Sequence, residues 1–203
     1  MKYLFAALIG YVMGCSNLTF FLGKARGIDA RKHGSGNLGA SNAAVLMGWG
    51  AAVAVALHDG GKAALAVWLC QFLFPDLEHV GAVAGIASVM GHIFPFYLGF
   101  KGGKGLASYV GMTIALDWRV AVGTFLLGVV ITVVSDYIAL ATISVATLVP
   151  IILGFLTKSW ELTLILLIGT VVMYFKHIEN IKRIRNGTEI GLRSTAKGEN
   201  RIK

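Results

Sequence analysis

The sequence predicts an all-α integral membrane protein of about seven transmembrane helices, some short or broken, with the N-terminus outside and the C-terminus cytoplasmic. Composition, apolar segment length and the placement of basic residues carry that prediction. Of 203 residues, 56% are hydrophobic and only 14% are charged, and the mean hydropathy is +0.74. Soluble domains run nearer about a quarter charged. Apolar segments fall at roughly 3–23, 43–57, 62–75, 80–98, 106–116, 118–135, 137–156 and 160–176. A straight crossing needs about 20 apolar residues, and tilt or local thinning relaxes this. Fourteen of the 18 basic residues lie in the stretches 24–42, 99–105 and 176–203, which the positive-inside rule assigns to the cytoplasm.

Taken in order, the first apolar run continues past Cys15 to Leu22, and only Lys2 precedes it. It reads as a retained first span rather than a cleaved leader. The link Pro75-Asp76-Leu77-Glu78-His79 has no lysine or arginine and is expected outside. An odd number of crossings must therefore join 24–42 to it. Residues 43–75 then form one net crossing, broken at the polar stretch His58-Asp59-Gly60-Gly61-Lys62. Segment 80–98 returns to the cytoplasm, with Pro95 expected to kink or end it. Four further crossings follow, of which 106–116 is the shortest. Gly10 and Gly14, and Gly81 and Gly85, are one helical turn apart and mark close helix approach. Asp59 is expected to line a cavity, and Asp136 falls at a cytoplasmic link, in water. Cys15 and Cys70 read as packed thiols. The chain is expected to be a single polytopic membrane domain, 1–203, with motif regions at 34–42, 91–105 and 176–189.

The second of those regions holds the densest signal. Gly99-Phe100-Lys101-Gly102-Gly103-Lys104-Gly105 places four glycines and two lysines in seven residues. Glycine lets backbone N–H groups approach an anion closely, and lysine adds mobile positive charge. A basic turn that only sets topology is the plainer account. The loop is not a Walker A motif: Gly105, not Ser or Thr, follows Lys104, and position 98 is Leu. Upstream, His92 lies within a span, where helix–helix hydrogen bonding is the commonest role.

The first region, Gly34-Ser35-Gly36-Asn37-Leu38-Gly39-Ala40-Ser41-Asn42, alternates glycine with small hydroxyl and amide side chains. A helix starting near Ser41 or Asn42 would add its N-terminal dipole, which suits a phosphate. In the third region, His177, Asn180 and Arg183 share one helix face, beside an apolar face of Ile178, Ile181 and Ile184. An interfacial anchor helix has the same pattern. Gly187-Thr188-Glu189 reads as a helix end. No His, Cys, Asp and Glu set has metal-ligand spacing.

Together these motifs resemble the bacterial acyl-phosphate:glycerol-3-phosphate acyltransferase family (PlsY). The family's Ser-Gly-Asn-x-Gly-Ala-Thr/Ser-Asn loop is matched by Ser35 to Asn42. Gly-His-x-Phe-Pro and Phe-Lys-Gly-Gly-Lys-Gly are matched by Gly91 to Pro95 and Phe100 to Gly105. His-x-x-Asn-Ile-x-Arg and Gly-Thr-Glu are matched by His177 to Arg183 and Gly187 to Glu189. The family's first motif usually ends in an arginine three residues past its last Asn; here that position is Val45, and Lys101 or Arg183 is the candidate replacement.

The resemblance implies transfer of an acyl group from acyl phosphate to the 1-hydroxyl of glycerol 3-phosphate, giving lysophosphatidic acid and phosphate. It implies a multi-pass protein of the bacterial inner membrane with its site at the cytoplasmic face. Its partners are those two small molecules and the bilayer, with no cofactor, metal or nucleic acid. Lys104, His177, Ser35 and Asn37 are the expected catalytic residues. Gly36, Gly39, Asn42, His92, Lys101, Gly102, Gly103, Gly105, Thr142, Asn180, Arg183 and Glu189 are the expected substrate contacts. His177 is a general base or a phosphate donor, and both roles stay open. Short spans and basic loops also fit a carrier for an organic phosphate. A scaffold role fits the composition but leaves the three clusters idle.

Overall fold

The computed structural model describes residues 1–197, all helix, turn and loop. Helices α1 (Lys2–Cys15) and α2 (Leu18–Ala25) form the first span. Then come α3 (Ala40–Met47), α4 (Trp49–Leu73), α5 (Val80–Ile93) with a 3₁₀ turn at Phe96–Leu98, α6 (Leu106–Leu116), α7 (Trp118–Ser135), α8 (Ile138–Thr157), α9 (Trp160–Arg185) and α10 (Leu192–Ala196). Among the described residues six stretches are long and apolar enough to cross a membrane, and α6, with 11 residues, is the short seventh element.

The two ends of the bundle are sorted as the charge pattern requires. At one end the Tyr3 hydroxyl donates to Glu78 O at 2.8 Å, and Ser159 Oγ bonds His79 Nε2 at 2.9 Å. At the other, Arg26 Nη1 donates to Met47 O at 3.2 Å, and Arg193 N donates to Asp136 Oδ1 at 2.8 Å. Asp136, expected free in water, thus anchors the segment leading into α10; Leu192 N also donates to its carbonyl oxygen at 2.9 Å. One face of α7, including Leu126, Val130 and Val134, is exposed. An apolar face of that kind suits lipid.

Two breaks lie where the sequence does not mark them, and one marked break is absent. The first span is interrupted at Ser16 and Asn17. Asn17 Oδ1 accepts from Phe20 N at 2.9 Å and caps α2, while its Nδ2 donates to Leu38 O at 3.1 Å. Gly48, at φ 86°, separates α3 from α4. The stretch at 58–62, expected to break a crossing, is instead continuous helix within the 25 residues of α4. Asp59, expected to line a cavity, is sealed at 1% exposure against Lys62. The span ending at Pro95 behaves as its sequence suggests, with α5 stopping at Ile93.

Helices meet closely where glycine removes side chains. Gly10 and Gly14 of α1 face the Ala84 and Ser88 carbonyls of α5, and Gly111 of α6 faces the Gly60 carbonyl of α4, with no room for a Cβ at any of the three. Cys15 and Cys70 are buried free thiols. The main core joins Val67, Ile86, Val89, Met112, Val145, Val149 and Leu166.

Candidate active site

A small apolar cluster gathers the three motif regions. Leu38 from the first, Leu98 from the second and Ile190, just past the third, pack together with Ala30, Val45 and Leu46. Burying these side chains draws the polar residues beside them to the same end of the bundle. Val45 is part of that floor at 4% exposure, so position 45 supplies packing and no charge.

The first loop is laced by Asn42. Its Nδ2 donates to Ala30 O at 3.0 Å and His33 O at 3.2 Å, and its Oδ1 accepts from Ser35 N at 2.9 Å. Neither it nor Ser41 caps a helix: α3 starts at Ala40 with Gly39 as its N-cap. Asn42 is spent on holding the loop, which leaves Ser35 and Gly36 exposed and Asn37 half-buried.

The glycine loop folds back on the end of α5. Gly102 N and Gly103 N donate to the carbonyls of Ile93 and His92, both at 3.1 Å. Gly105 then takes φ 97°, a left-handed conformation that suits glycine, and opens α6. Lys101 is exposed and Lys104 is half-buried. His92 lies behind the loop, its ring against the Gly103 backbone and its Nδ1 3.1 Å from Lys62 Nζ.

The third region comes from the last two turns of α9. His177 and Asn180 are buried, while Ile178 and Ile181 are exposed on the other side. The helix closes with Thr188 N bonded to Arg183 O at 2.8 Å and Gly187 at φ 69°, which sends the chain back toward the helix. That turn delivers Glu189 to its partners: Oε1 accepts from Asn180 Nδ2, and Oε2 pairs with Arg183 Nε, both at 2.6 Å. Asn180 in turn presents Oδ1 to the Lys104 ammonium. His177 Nδ1 is 2.7 Å from Met173 O; a carbonyl only accepts, so Nδ1 carries the proton and Nε2 is the acceptor in the neutral ring.

Lys104, Asn180, Glu189 and Arg183 therefore form one hydrogen-bonded array joining the second motif to the third. Burial and the neighbouring Arg183 charge push the Lys104 ammonium down to about 8; Glu189 opposes this and Lys176 adds to it. Two cations around one carboxylate leave a net positive array at the end of the bundle, which suits a phosphate ester or acyl phosphate.

Ser35 and Asn37 reach this end through the loop, whereas the Thr142 hydroxyl is turned to Ile138 O of its own helix at 2.9 Å. A cleft at the opposite end, lined by Tyr3, Glu78, His79 and Glu161, contains no motif residue. Sequence reasoning missed the group in which Lys62 joins Asp59, His92 and the Ser16 carbonyl, and His58 joins Asp59 and the Ser16 hydroxyl. The polar stretch inside an apolar run was its only signal.

An all-helical bundle with a cationic, amide-rich site at one end defines a polytopic membrane protein built for an anionic ligand. Comparison with known proteins narrows that class. The chain belongs to the glycerol-3-phosphate acyltransferase family, whose model matches residues 4–187, and it is of the PlsY type. It is 36% identical to the glycerol-3-phosphate acyltransferase of Mesorhizobium japonicum, covering 91% of this chain and 93% of that one. It is 37% identical to glycerol-3-phosphate acyltransferase 2 of Thermotoga maritima, covering 90% and 92%. Its fold is similar to the crystal structure of PlsY (YgiH), an integral membrane glycerol 3-phosphate acyltransferase, in the glycerol 3-phosphate form. The TM-score is 0.90 at 28% identity, over 97% of this chain and 98% of that chain. The lysophosphatidic acid form of the same protein gives a TM-score of 0.85.

Proposed function

We propose that the protein transfers a fatty acyl group from acyl phosphate to the 1-hydroxyl of glycerol 3-phosphate, releasing lysophosphatidic acid and inorganic phosphate. The observation that carries this reading is the Lys104–Asn180–Glu189–Arg183 array, set in a chain of this family. Both substrates bring phosphate to a membrane surface, and this array is the charged, part-buried group that suits it.

Lys104 holds the acyl-phosphate head and polarises its carbonyl; the Gly102 and Gly103 N–H groups are spent on the Ile93 and His92 carbonyls and shape the loop that presents it. Ser35, Asn37, His177 and Asn180 position glycerol 3-phosphate, and Arg183 stands in for the cation that Val45 does not supply. The substrate hydroxyl attacks the acyl carbon, the bond from that carbon to the phosphate oxygen breaks, and the hydroxyl proton leaves with the phosphate. Catalysis on this reading is positioning and charge stabilisation. The abundance of Lys and Arg at the end carrying the site supports placing it at the cytoplasmic face of the inner membrane.

The experiment is phosphate release by the purified protein given palmitoyl phosphate with and without glycerol 3-phosphate. Release that requires both, with lysophosphatidic acid formed in equal amount, is the expected result. Release without glycerol 3-phosphate, or none at all, overturns the reading.

A further inference from the structure

Behind the glycine loop lies a second polar group, buried in the bundle and separate from the array around Lys104. Asp59 is 1% exposed, His92 3% and Lys62 7%. Lys62 Nζ donates to Asp59 Oδ1 at 2.8 Å and to the Ser16 carbonyl, and it lies 3.1 Å from His92 Nδ1. His58 bridges Asp59 Oδ1 at 3.1 Å and Ser16 Oγ at 2.9 Å.

A buried charge pair is a costly way to fill a helix interface, and apolar side chains of similar volume often serve stability as well. Its position offers another reason for it. The break after α1 frees the Ser16 carbonyl, and Lys62 caps it. His92 Nδ1 faces both the Lys62 ammonium at 3.1 Å and Asp59 Oδ1 at 3.5 Å, so the pair holds that edge of the ring. The Nε2 edge of that ring lies where a Cβ on Gly103 would sit, and the His92 carbonyl accepts from Gly103 N. Lys104 is the next residue. Between Asp59 and Lys62 on α4, Gly60 receives Gly111 of α6, the helix that the glycine loop leads into. The stretch 58–62 is thus the junction of α1, α5 and α6 beneath the loop.

We infer that Asp59 and Lys62 are positioning residues for acyl transfer: they lock the His92 ring against Gly103 and so set the backbone that presents Lys104. The inference rests on the proposed acyl transfer for its kinetic reading, and the route runs from pair to ring to loop. A displacement of about 1 Å at a reacting group costs up to about a hundredfold in rate.

The test compares Asp59→Asn/Lys62→Met, which removes both charges together, with His92→Ala and with the three changes combined, all in the intact protein in detergent. Two readouts are taken. One is kcat and KM for palmitoyl phosphate and glycerol 3-phosphate. The other is the pH midpoint for acylation of the Lys104 amine by a lysine-selective reagent, followed by mass spectrometry. Expected are a fall in kcat of about 10- to 100-fold in each variant, no further loss on combining them, and a moved Lys104 midpoint. Unchanged kcat in a folded double variant, or losses that multiply, overturns the inference.

If the double variant does not fold, His92→Asn decides. It keeps an acceptor for Lys62 but withdraws the ring from Gly103; a tenfold or greater fall in kcat is expected, and full kcat overturns the inference. If the unaltered protein performs no acyl transfer, the functional reading fails by itself. The Lys104 midpoint then decides the positioning question: a midpoint unmoved in every variant overturns it.

Discussion

The Lys104 ammonium donates to the side-chain oxygen of Asn180, across 76 positions of chain. This bond joins the glycine loop to the last span and makes one array of two motifs. Asn180 is oriented by its other partner, Glu189, which takes the amide N–H and leaves the oxygen for lysine.

On the proposed reaction, Lys104→Ala removes the charge that faces the acyl-phosphate head. Loss of one preorganised donor at a developing oxyanion costs about 10²–10³ in rate. Phosphate release that depends on glycerol 3-phosphate is expected to fall by that factor or more.

Alkaline pH should act through the same group. Lys104 titrates at about 8, mainly because of burial, so it is charged below that value and neutral above it. The free protein's essential ionisations set kcat/KM. A plot of log kcat/KM against pH should therefore turn downward near 8 and approach a slope of −1.

Neighbouring charges should move that turn in opposite directions. Glu189 raises the Lys104 titration and Arg183 lowers it. Glu189→Gln is expected to shift the alkaline limb to lower pH, and Arg183→Gln to higher pH. Shifts of the same sign in both would show that Lys104 does not control the limb.

His177→Ala separates two accounts of the proton. If the phosphate carries it away, the variant loses glycerol 3-phosphate affinity while keeping measurable turnover at saturation. Normal binding with no turnover would make Nε2 the base. Equilibrium binding of labelled glycerol 3-phosphate, beside single-turnover rates, tells these apart.

Gly111→Ala tests the junction of α4 and α6. The added methyl meets the Gly60 carbonyl, which is backbone and cannot swing away. Overpacking of this kind costs about 1–3 kcal/mol. Thermal unfolding in detergent should show a lower midpoint than the parent protein.

Spans were legible because apolar length is written locally, and so was the shared face of His177, Asn180 and Arg183 on α9. The breaks were not. Asn17 sits in a run that reads as continuous, and only its contacts with Phe20 N and Leu38 O make it a cap. Residues 58–62 look like an interruption because polar groups and paired glycines weaken an isolated helix. Their partners, Ser16 and His92, stand 46 and 30 positions from Lys62, beyond the reach of any local pattern. The loop around Asn42 misled for a related reason: an amide before an apolar run suggests a cap, whereas its bonds run backward to Ala30, His33 and Ser35.

The bond from Lys104 to Asn180 also sets a schedule during synthesis. While the first six membrane segments are being inserted, the lysine emerges with no amide to hold it and no Glu189 to tie Arg183 in place. The array closes only when the ribosome has delivered the chain through residue 189, 85 positions after Lys104. A chain that stops before residue 189 therefore carries Lys104 without the Glu189 end of its array.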